Sequence, residues 1–251
     1  MKSKKIFIAR GMLAAALAFA LVLAGCGKKN SGGESGGGNA VQAAISAAVR
    51  ETPASDFSYG LSEDGQGIVV TGYTGNGGKV VIPATIEDIP VVEIGDDAFS
   101  GKKKNITEIV IPGSVVSIGR HAFMDNSVLK SITLPDGLKT IENGIFWGCS
   151  NLTSVTLPDG LKTIEDNTFY ECSNLTTVIL PAGLEAIGYT AFRGCRELNN
   201  LTIPASLTGV KFVWISESSN DYPDNGAFIG CGKLPIKTRQ TIQGWGYTGE
   251  F

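Results

Sequence analysis

Histidine is almost missing from this chain of 251 residues, and so are the motifs that enzymes commonly use. The single histidine, His121, has no serine, cysteine or carboxylate placed beside it by a recognisable motif. The chain also lacks a glycine-rich phosphate loop, a nucleophile motif and a paired-carboxylate motif. We therefore predict no catalytic residue, no cofactor and no enzymatic activity, and we assign His121 to the surface.

Positive charge is also scarce. Charged residues make up 18% of the chain, and the formal net charge is −3. Subtracting four positive charges in an N-terminal segment that we expect to be cleaved leaves −7; these are Lys2, Lys4, Lys5 and Arg10. An acidic protein without a basic stripe is poorly suited to binding nucleic acid. Nucleic acid is therefore excluded as a partner.

A long apolar run is absent as well. The apolar segment Gly11–Leu23 has 13 residues, which suits the core of a signal peptide and is too short to span a membrane comfortably. It is followed by Leu23-Ala24-Gly25-Cys26, which resembles a bacterial lipobox. That resemblance implies cleavage before Cys26 and lipidation of its thiol, so that the chain is anchored to a membrane by lipid. The alternative is an ordinary secretory signal followed by a chance cysteine.

These features divide the chain into three parts. Residues 1–25 are predicted to be a lipoprotein signal peptide. Residues 26–55 are predicted to be a Gly/Ser-rich tether, in which the Ala-rich stretch Ala40–Thr52 favours a short helix. Residues 56–251 are predicted to be a single repeat domain, which begins with three strands read as a β-rich cap and ends with a cap containing a short helix within 234–244.

What the chain does have is a repeat of 23 residues. Pro135, Pro158, Pro181 and Pro204 are equally spaced, and phenylalanine and cysteine recur with the same period. Such a period is typical of a solenoid, in which one short unit stacks on copies of itself. The phenylalanines are expected to stack in the core; they are Phe99, Phe123, Phe146, Phe169 and Phe192.

The segment before each proline alternates between apolar and polar residues, as a half-buried strand does. We expect stacked units to pair these strands in a parallel sheet, with the proline ending each strand. The Pro-Asp-Gly segments after the strands predict tight turns in which glycine eases the backbone. The outward positions form a candidate binding face, comprising Glu108, Ser131, Thr133, Ser154, Thr156, Thr177 and Thr202. The alternative is an ordinary solvated sheet surface.

The repeated cysteines offer three interpretations. Zinc sites gather ligands at close spacing, whereas Cys149, Cys172, Cys195 and Cys231 occur once per unit. Disulfides between neighbouring units are conceivable by distance, but parallel Cα–Cβ bonds disfavour them. We predict buried free thiols and no metal site.

The pattern I-G/E-x-x-A-F-x-x-C-x-x-L-x-x-I-x-L-P closely resembles the BspA-like class of bacterial leucine-rich repeats, and Ile187–Cys195 carries its central part in full. The resemblance implies a leucine-rich-repeat solenoid with a parallel sheet and short helical or 3-10 turns. It also implies a place in the bacterial cell envelope and, for some members, adhesion or binding to a host or matrix protein.

The last unit departs from the repeat through an insertion, KFVWISESSNDYP, at Lys211–Pro223. Its aromatic residues Phe212, Trp214 and Tyr222 form a candidate binding loop, and the alternative is a structural cap over the last unit. The sequence thus predicts a lipid-anchored surface or periplasmic protein that binds another macromolecule. A structural spacer of the envelope without a specific ligand is the second hypothesis.

Overall fold

The chain folds into a stack of similar coils, each of which adds one short strand to each of two columns. The computed structural model describes residues 50–101, 105–207, 226–247 and 249–251. Within these residues about six coils stack, and their strands are two to six residues long. The parallel solenoid predicted from the repeat is confirmed.

One column of strands, the first wall, follows the proline turns. The first wall consists of β1 (Phe57–Leu61), β2 (Ile68–Tyr73), β5 (Ile89–Ile94), β7 (Ser117–Ile118), β9 (Thr140–Ile141), β11 (Thr163–Ile164) and β13 (Ala186–Ile187). The strands pair in parallel from β2 to β9 and again between β11 and β13, whereas β1 pairs with β2 in antiparallel fashion.

The other column, the second wall, holds the strands that precede the prolines. Its parallel register follows the repeat, so that Val155 lies opposite Val178, and Val178 opposite Leu201. The second wall consists of β3 (Gly78–Val81), β6 (Ile106–Val110), β8 (Ser131–Thr133), β10 (Ser154–Thr156), β12 (Thr177–Ile179) and β14 (Asn200–Thr202).

The core between the walls is built on a column of phenylalanine rings. Phe123, Phe146, Phe169 and Phe192 have no solvent exposure, and neighbouring rings are stacked with centroids 5.2–5.7 Å apart. Phe228 continues the column beyond Phe192 at 5.5 Å. The predicted phenylalanine stack is confirmed, and each ring buries its faces against the rings of adjacent coils.

The third side of each coil is a turn with two left-handed residues. In this turn the backbone N–H of Phe146 donates to the carbonyl oxygen of Thr168 in the next coil, at 3.0 Å. The first left-handed position has φ between 50° and 63° and is occupied by Asp97, His121, Gly144, Asn167, Thr190 and Gly226. His121 is half-buried at this position, so its assignment to the surface is only partly right.

The predicted three-stranded cap at the start of the domain needs correction. β1 and β2 do form an antiparallel hairpin, but β3 does not pair with β2. It pairs in parallel with β6, because β2 and β3 already form the first coil of the solenoid. The five extra residues of the next unit form a small hairpin, in which β4 (Thr85–Ile86) pairs with the start of β5.

Two further local predictions are also revised. Gly137 and Gly160 are not left-handed, so glycine does not ease φ in the Pro-Asp-Gly turns. At Gly160 the reason is space, because a Cβ there would lie 2.8 Å from the carbonyl oxygen of Leu138. Of the predicted helix at Ala40–Thr52, only 50–52 are described, and they are not helical. Instead, the Thr52 hydroxyl accepts a hydrogen bond from the Val81 N–H at 2.9 Å.

The C-terminal part closes the stack with a short helix. Helix α1 (Ile236–Gly244) lies within the predicted range and buries Ile242. Tyr247 then places its ring edge-on against Phe228, with centroids 5.8 Å apart, and covers that end of the phenylalanine column. No helix in the described part of the chain is long and apolar enough to cross a membrane.

Candidate binding surfaces

The outward face of the second wall is a broad, nearly uncharged surface. Glu108 is the one charged residue among the predicted candidates, and it forms a salt bridge with Lys79 at 2.8 Å. Ile179 is 54% exposed at the outward position of β12. The structure brings all seven predicted residues onto this face, where they are exposed or half-buried: Glu108, Ser131, Thr133, Ser154, Thr156, Thr177 and Thr202.

Hydroxyl and amide side chains tie neighbouring coils together beside this face. The Thr176 hydroxyl donates to the carbonyl oxygen of Thr153 at 3.0 Å, one coil earlier. The amide of Asn174 donates to the side-chain oxygen of Asn151 at 3.2 Å. These hydrogen bonds thus keep successive coils in register beside the exposed face.

Two other predicted sites lie outside the described residues. These are the lipid attachment site at Cys26 and the aromatic loop with Phe212, Trp214 and Tyr222. Both remain predictions.

The repeat cysteines form a buried column of free thiols, as predicted. Each Sγ donates to the carbonyl oxygen of the phenylalanine one coil earlier, and the distance from Cys172 Sγ to the Phe146 oxygen is 3.0 Å. Burial raises the pKa of the Cys172 thiol well above 9.0. A protonated, inaccessible thiol is neither a nucleophile nor a metal ligand. The described residues contain no cluster of three or more metal-ligating side chains.

Asn126 occupies the cysteine position in the coil of Phe123, a substitution that the sequence analysis did not identify. Its amide nitrogen donates to the carbonyl oxygens of Phe99 at 2.7 Å and Phe123 at 2.9 Å. The repeating requirement at this position is therefore a buried hydrogen-bond donor. In the sequence, this requirement is visible as a cysteine or asparagine three positions after the repeated phenylalanine.

A second surface, which the sequence analysis also missed, lies one residue after the phenylalanine column. Trp147 and Tyr170 occupy equivalent positions in successive coils, and their ring centroids are 5.0 Å apart. His121 lies edge-on to Trp147 at 6.0 Å, and the Arg193 guanidinium lies 6.0 Å from the centre of the Tyr170 ring. We call His121, Trp147 and Tyr170 the aromatic stripe.

The aromatic stripe is half-buried, and acidic residues lie next to it in the sequence. The second left-handed position of the turn, which directly follows Met124, Trp147, Tyr170 and Arg193, alternates between acid and glycine, as Asp125, Gly148, Glu171 and Gly194. A Cβ at Gly148 would lie 2.7 Å from the Asp125 Oδ1, so glycine leaves room for that carboxylate. Trp, Tyr and Arg are the residue types most enriched at the energetic centres of protein interfaces.

Solved structures of bacterial leucine-rich-repeat proteins resemble this fold. The Leucine Rich Repeat protein of T. pallidum is 34% identical, covers 80% of this chain and 99% of its own, and has a TM-score of 0.62. A leucine-rich cell surface protein of Faecalibacterium prausnitzii A2-165 is 28% identical, with a TM-score of 0.53. That match covers 76% of this chain and 55% of the F. prausnitzii chain.

A comparison with curated proteins finds no match. The family model for the BspA type leucine rich repeat region matches residues 92–220 in six copies. This range contains the phenylalanine column from Phe99 to Phe192 and most of both walls. Leucine-rich-repeat solenoids of this kind are typically not catalytic. The repeat, the fold and the family match agree, and the chain belongs to the BspA type leucine-rich-repeat family.

Proposed function

We propose that this chain is a lipid-anchored protein of the bacterial cell envelope whose solenoid binds another protein. The observation that carries the proposal is the aromatic stripe. Core packing does not require large aromatic residues there, because the equivalent positions hold Ser100 and Met124 in earlier coils. Large, half-exposed aromatic side chains at positions free to be small are a feature of recognition surfaces.

The outward face of the second wall supplies the second part of the proposed surface. It carries few charges and holds one strongly exposed aliphatic side chain, Ile179. A surface of this kind requires little desolvation of charge when a partner binds. Adhesion to a host or matrix protein is the specific form of binding that the family resemblance favours. The F. prausnitzii relative, described as a cell surface protein, supports a location in the envelope.

A capture experiment tests the proposed binding function. The chain from Cys26 onward, carrying Cys26→Ser to prevent lipidation, is immobilised and exposed to extracellular-matrix and cell-envelope proteins. The native surface should retain a specific protein. A Trp147→Ser, Tyr170→Ser variant should retain at least about tenfold less, as expected for the loss of two interface aromatics.

The matched control is Asp159→Ser, which alters one exposed turn residue between the two walls, outside both proposed surfaces. If the native chain retains no more protein than a variant in which both surfaces are altered, the structural-spacer hypothesis is favoured.

The membrane anchor is tested separately by metabolic labelling with a clickable palmitate analogue. Labelling of the native chain that is lost in Cys26→Ser supports lipidation at that thiol, and labelling that persists contradicts it.

A further inference from the structure

The outer surface of the first wall changes chemistry along the stack. One outward position, four residues after the repeated proline in the regular coils, carries valine in the early coils and charged residues in the later ones. In order along the stack these residues are Val92, Val116, Lys139, Lys162 and Glu185. Val69 of the first coil lies next to this column, because it pairs with Glu93. Lysine is accommodated at Lys139 and Lys162, so the fold does not require an apolar residue at this position.

The valines form the floor of a groove at the N-terminal end of the solenoid. The groove has a volume of about 640 Å³ and is bounded by the hairpin loop between β1 and β2. Two of the apolar side chains that line it are strongly exposed, Leu61 at 55% and Val116 at 40%. Exposed aliphatic residues that the fold does not need, gathered in one concavity, indicate a place where apolar groups of another molecule are buried.

Three acidic residues line the same groove, and no lysine, arginine or histidine does. One oxygen of Asp64 already accepts hydrogen bonds from the Ser62 hydroxyl and the Gln66 N–H. Glu63 and Glu93 have no salt-bridge partner among the described residues. Burial, together with the nearby Asp96 and Glu63, raises the pKa of Glu93, so its negative charge is poorly compensated by the residues around it.

We propose that this groove binds a peptide segment of a partner protein that carries aliphatic side chains and a basic residue at one end. The aliphatic side chains lie on Leu61, Val92 and Val116, and the basic group pairs with Glu93 and Glu63. Lys139 follows Val116 in the same column, so a segment with positive charge along its whole length would be repelled there. This site lies on the first wall, and it does not depend on the binding function proposed for the aromatic stripe.

Fluorescence anisotropy with three synthetic peptides tests the proposal on the chain from Cys26 onward carrying Cys26→Ser. The first is a labelled octapeptide with two N-terminal arginines followed by alternating valine and serine. The second carries glutamates in place of the arginines, and the third carries serines in place of the valines. The first peptide should bind at least about tenfold more tightly than either of the others, because each of these lacks one of the two recognised features.

Variants of the groove separate binding from folding. Val116→Lys places in the groove the residue that Lys139 and Lys162 already show to be accommodated, so it should fold normally and weaken binding at least about tenfold. Glu93→Gln should weaken binding about two- to fivefold, as expected for one partly exposed ion pair. The control Lys162→Val lies two coils beyond Val116 and should leave affinity unchanged.

Three results would overturn the proposal. The first is equal binding of the arginine and glutamate peptides, and the second is unchanged affinity in Val116→Lys. The third is a dimer, detected by sedimentation, that Val116→Lys dissociates, because it would assign the groove to a second copy of this chain.

Discussion

The thiol of Cys172 donates a hydrogen bond to the carbonyl oxygen of Phe146 in the preceding coil, with Sγ and O 3.0 Å apart. Cys149, Cys195 and Cys231 make the same bond to the phenylalanine one coil earlier. Each bond joins a buried cysteine side chain to the backbone of the preceding coil. The cysteine column is therefore a structural element that holds successive coils together.

Alkaline pH is expected to weaken the fold through these thiols. Burial raises the pKa of all four, that of Cys231 to about 12, whereas the ordinary thiol value is 9.0. Below pH 9 the thiols are protonated in both the folded and the unfolded chain, so their contribution to stability is complete. Above pH 9 the unfolded chain ionises first, so the free energy of unfolding falls, by roughly 1 kcal/mol per thiol at pH 10.

Urea unfolding at pH 8 and pH 10 measures this loss. The Cys172→Ala variant has one thiol fewer, so its loss of stability between the two pH values should be smaller than that of the native chain by roughly 1 kcal/mol. Groups other than the thiols titrate equally in both proteins and cancel in the comparison. An identical pH dependence in the two proteins would contradict the assigned role.

Asn126 should be replaceable by cysteine but not by alanine. Asn126→Ala removes the donor to the Phe99 and Phe123 carbonyl oxygens and should cost roughly 1–3 kcal/mol of unfolding free energy. Asn126→Cys restores the donor found in the later coils and should cost clearly less. Chemical denaturation measures both variants, and equal losses would show that a donor is not what the position requires.

Truncating one ring of the phenylalanine column should be strongly destabilising. Phe169 lies between Phe146 at 5.5 Å and Phe192 at 5.2 Å, and it is fully buried. Phe169→Ala should cost about 3–5 kcal/mol, because a cavity then opens between two coils. The exposed control Thr156→Ala should change the unfolding free energy by less than about 0.5 kcal/mol. Similar losses in the two variants would refute the stacking account.

The backbone φ angle predicts different effects on stability when Gly144 and Gly137 are each replaced by alanine. Gly144 has φ of 63°, and a Cβ there would lie 2.6 Å from the His121 Cδ2 atom. Gly144→Ala should therefore cost about 1–2 kcal/mol or more. Gly137 is not left-handed, and a Cβ there would make only a 3.4 Å contact with the Gly113 carbonyl oxygen. Gly137→Ala should be nearly neutral, and thermal unfolding of both variants provides the comparison.

The sequence predicted the positions that repeat, because a coil that packs on its copy needs the same apolar side chain at the same place. Phe146, Phe169 and Cys172 were identified correctly on this basis. The left-handed turns could not be predicted in the same way, since they are occupied by chemically unlike residues such as Asp97, His121 and Thr190. Their common property is the backbone φ angle, which side-chain chemistry does not reveal.

The pairing of β3 and the aromatic stripe illustrate two other limits. A strand that follows a turn favours a hairpin by local signals, but β3 pairs with β6, which follows much later in the chain. The stripe residues Trp147 and Tyr170 do not match any repeated residue, so the repeat pattern gave no reason to select them. Only the stacking of coils shows that they lie side by side at 5.0 Å.

Site-specific photocrosslinking tests most directly whether the solenoid binds a protein through its variable surface. A photoreactive phenylalanine analogue is placed at position 147, in the aromatic stripe, or at position 159, an exposed turn residue between the two walls. The chain is then crosslinked on intact cells and in contact with matrix proteins. The account predicts a discrete crosslinked partner from position 147 and none from position 159. Crosslinking from position 159 alone, or the same products from both positions, would contradict it.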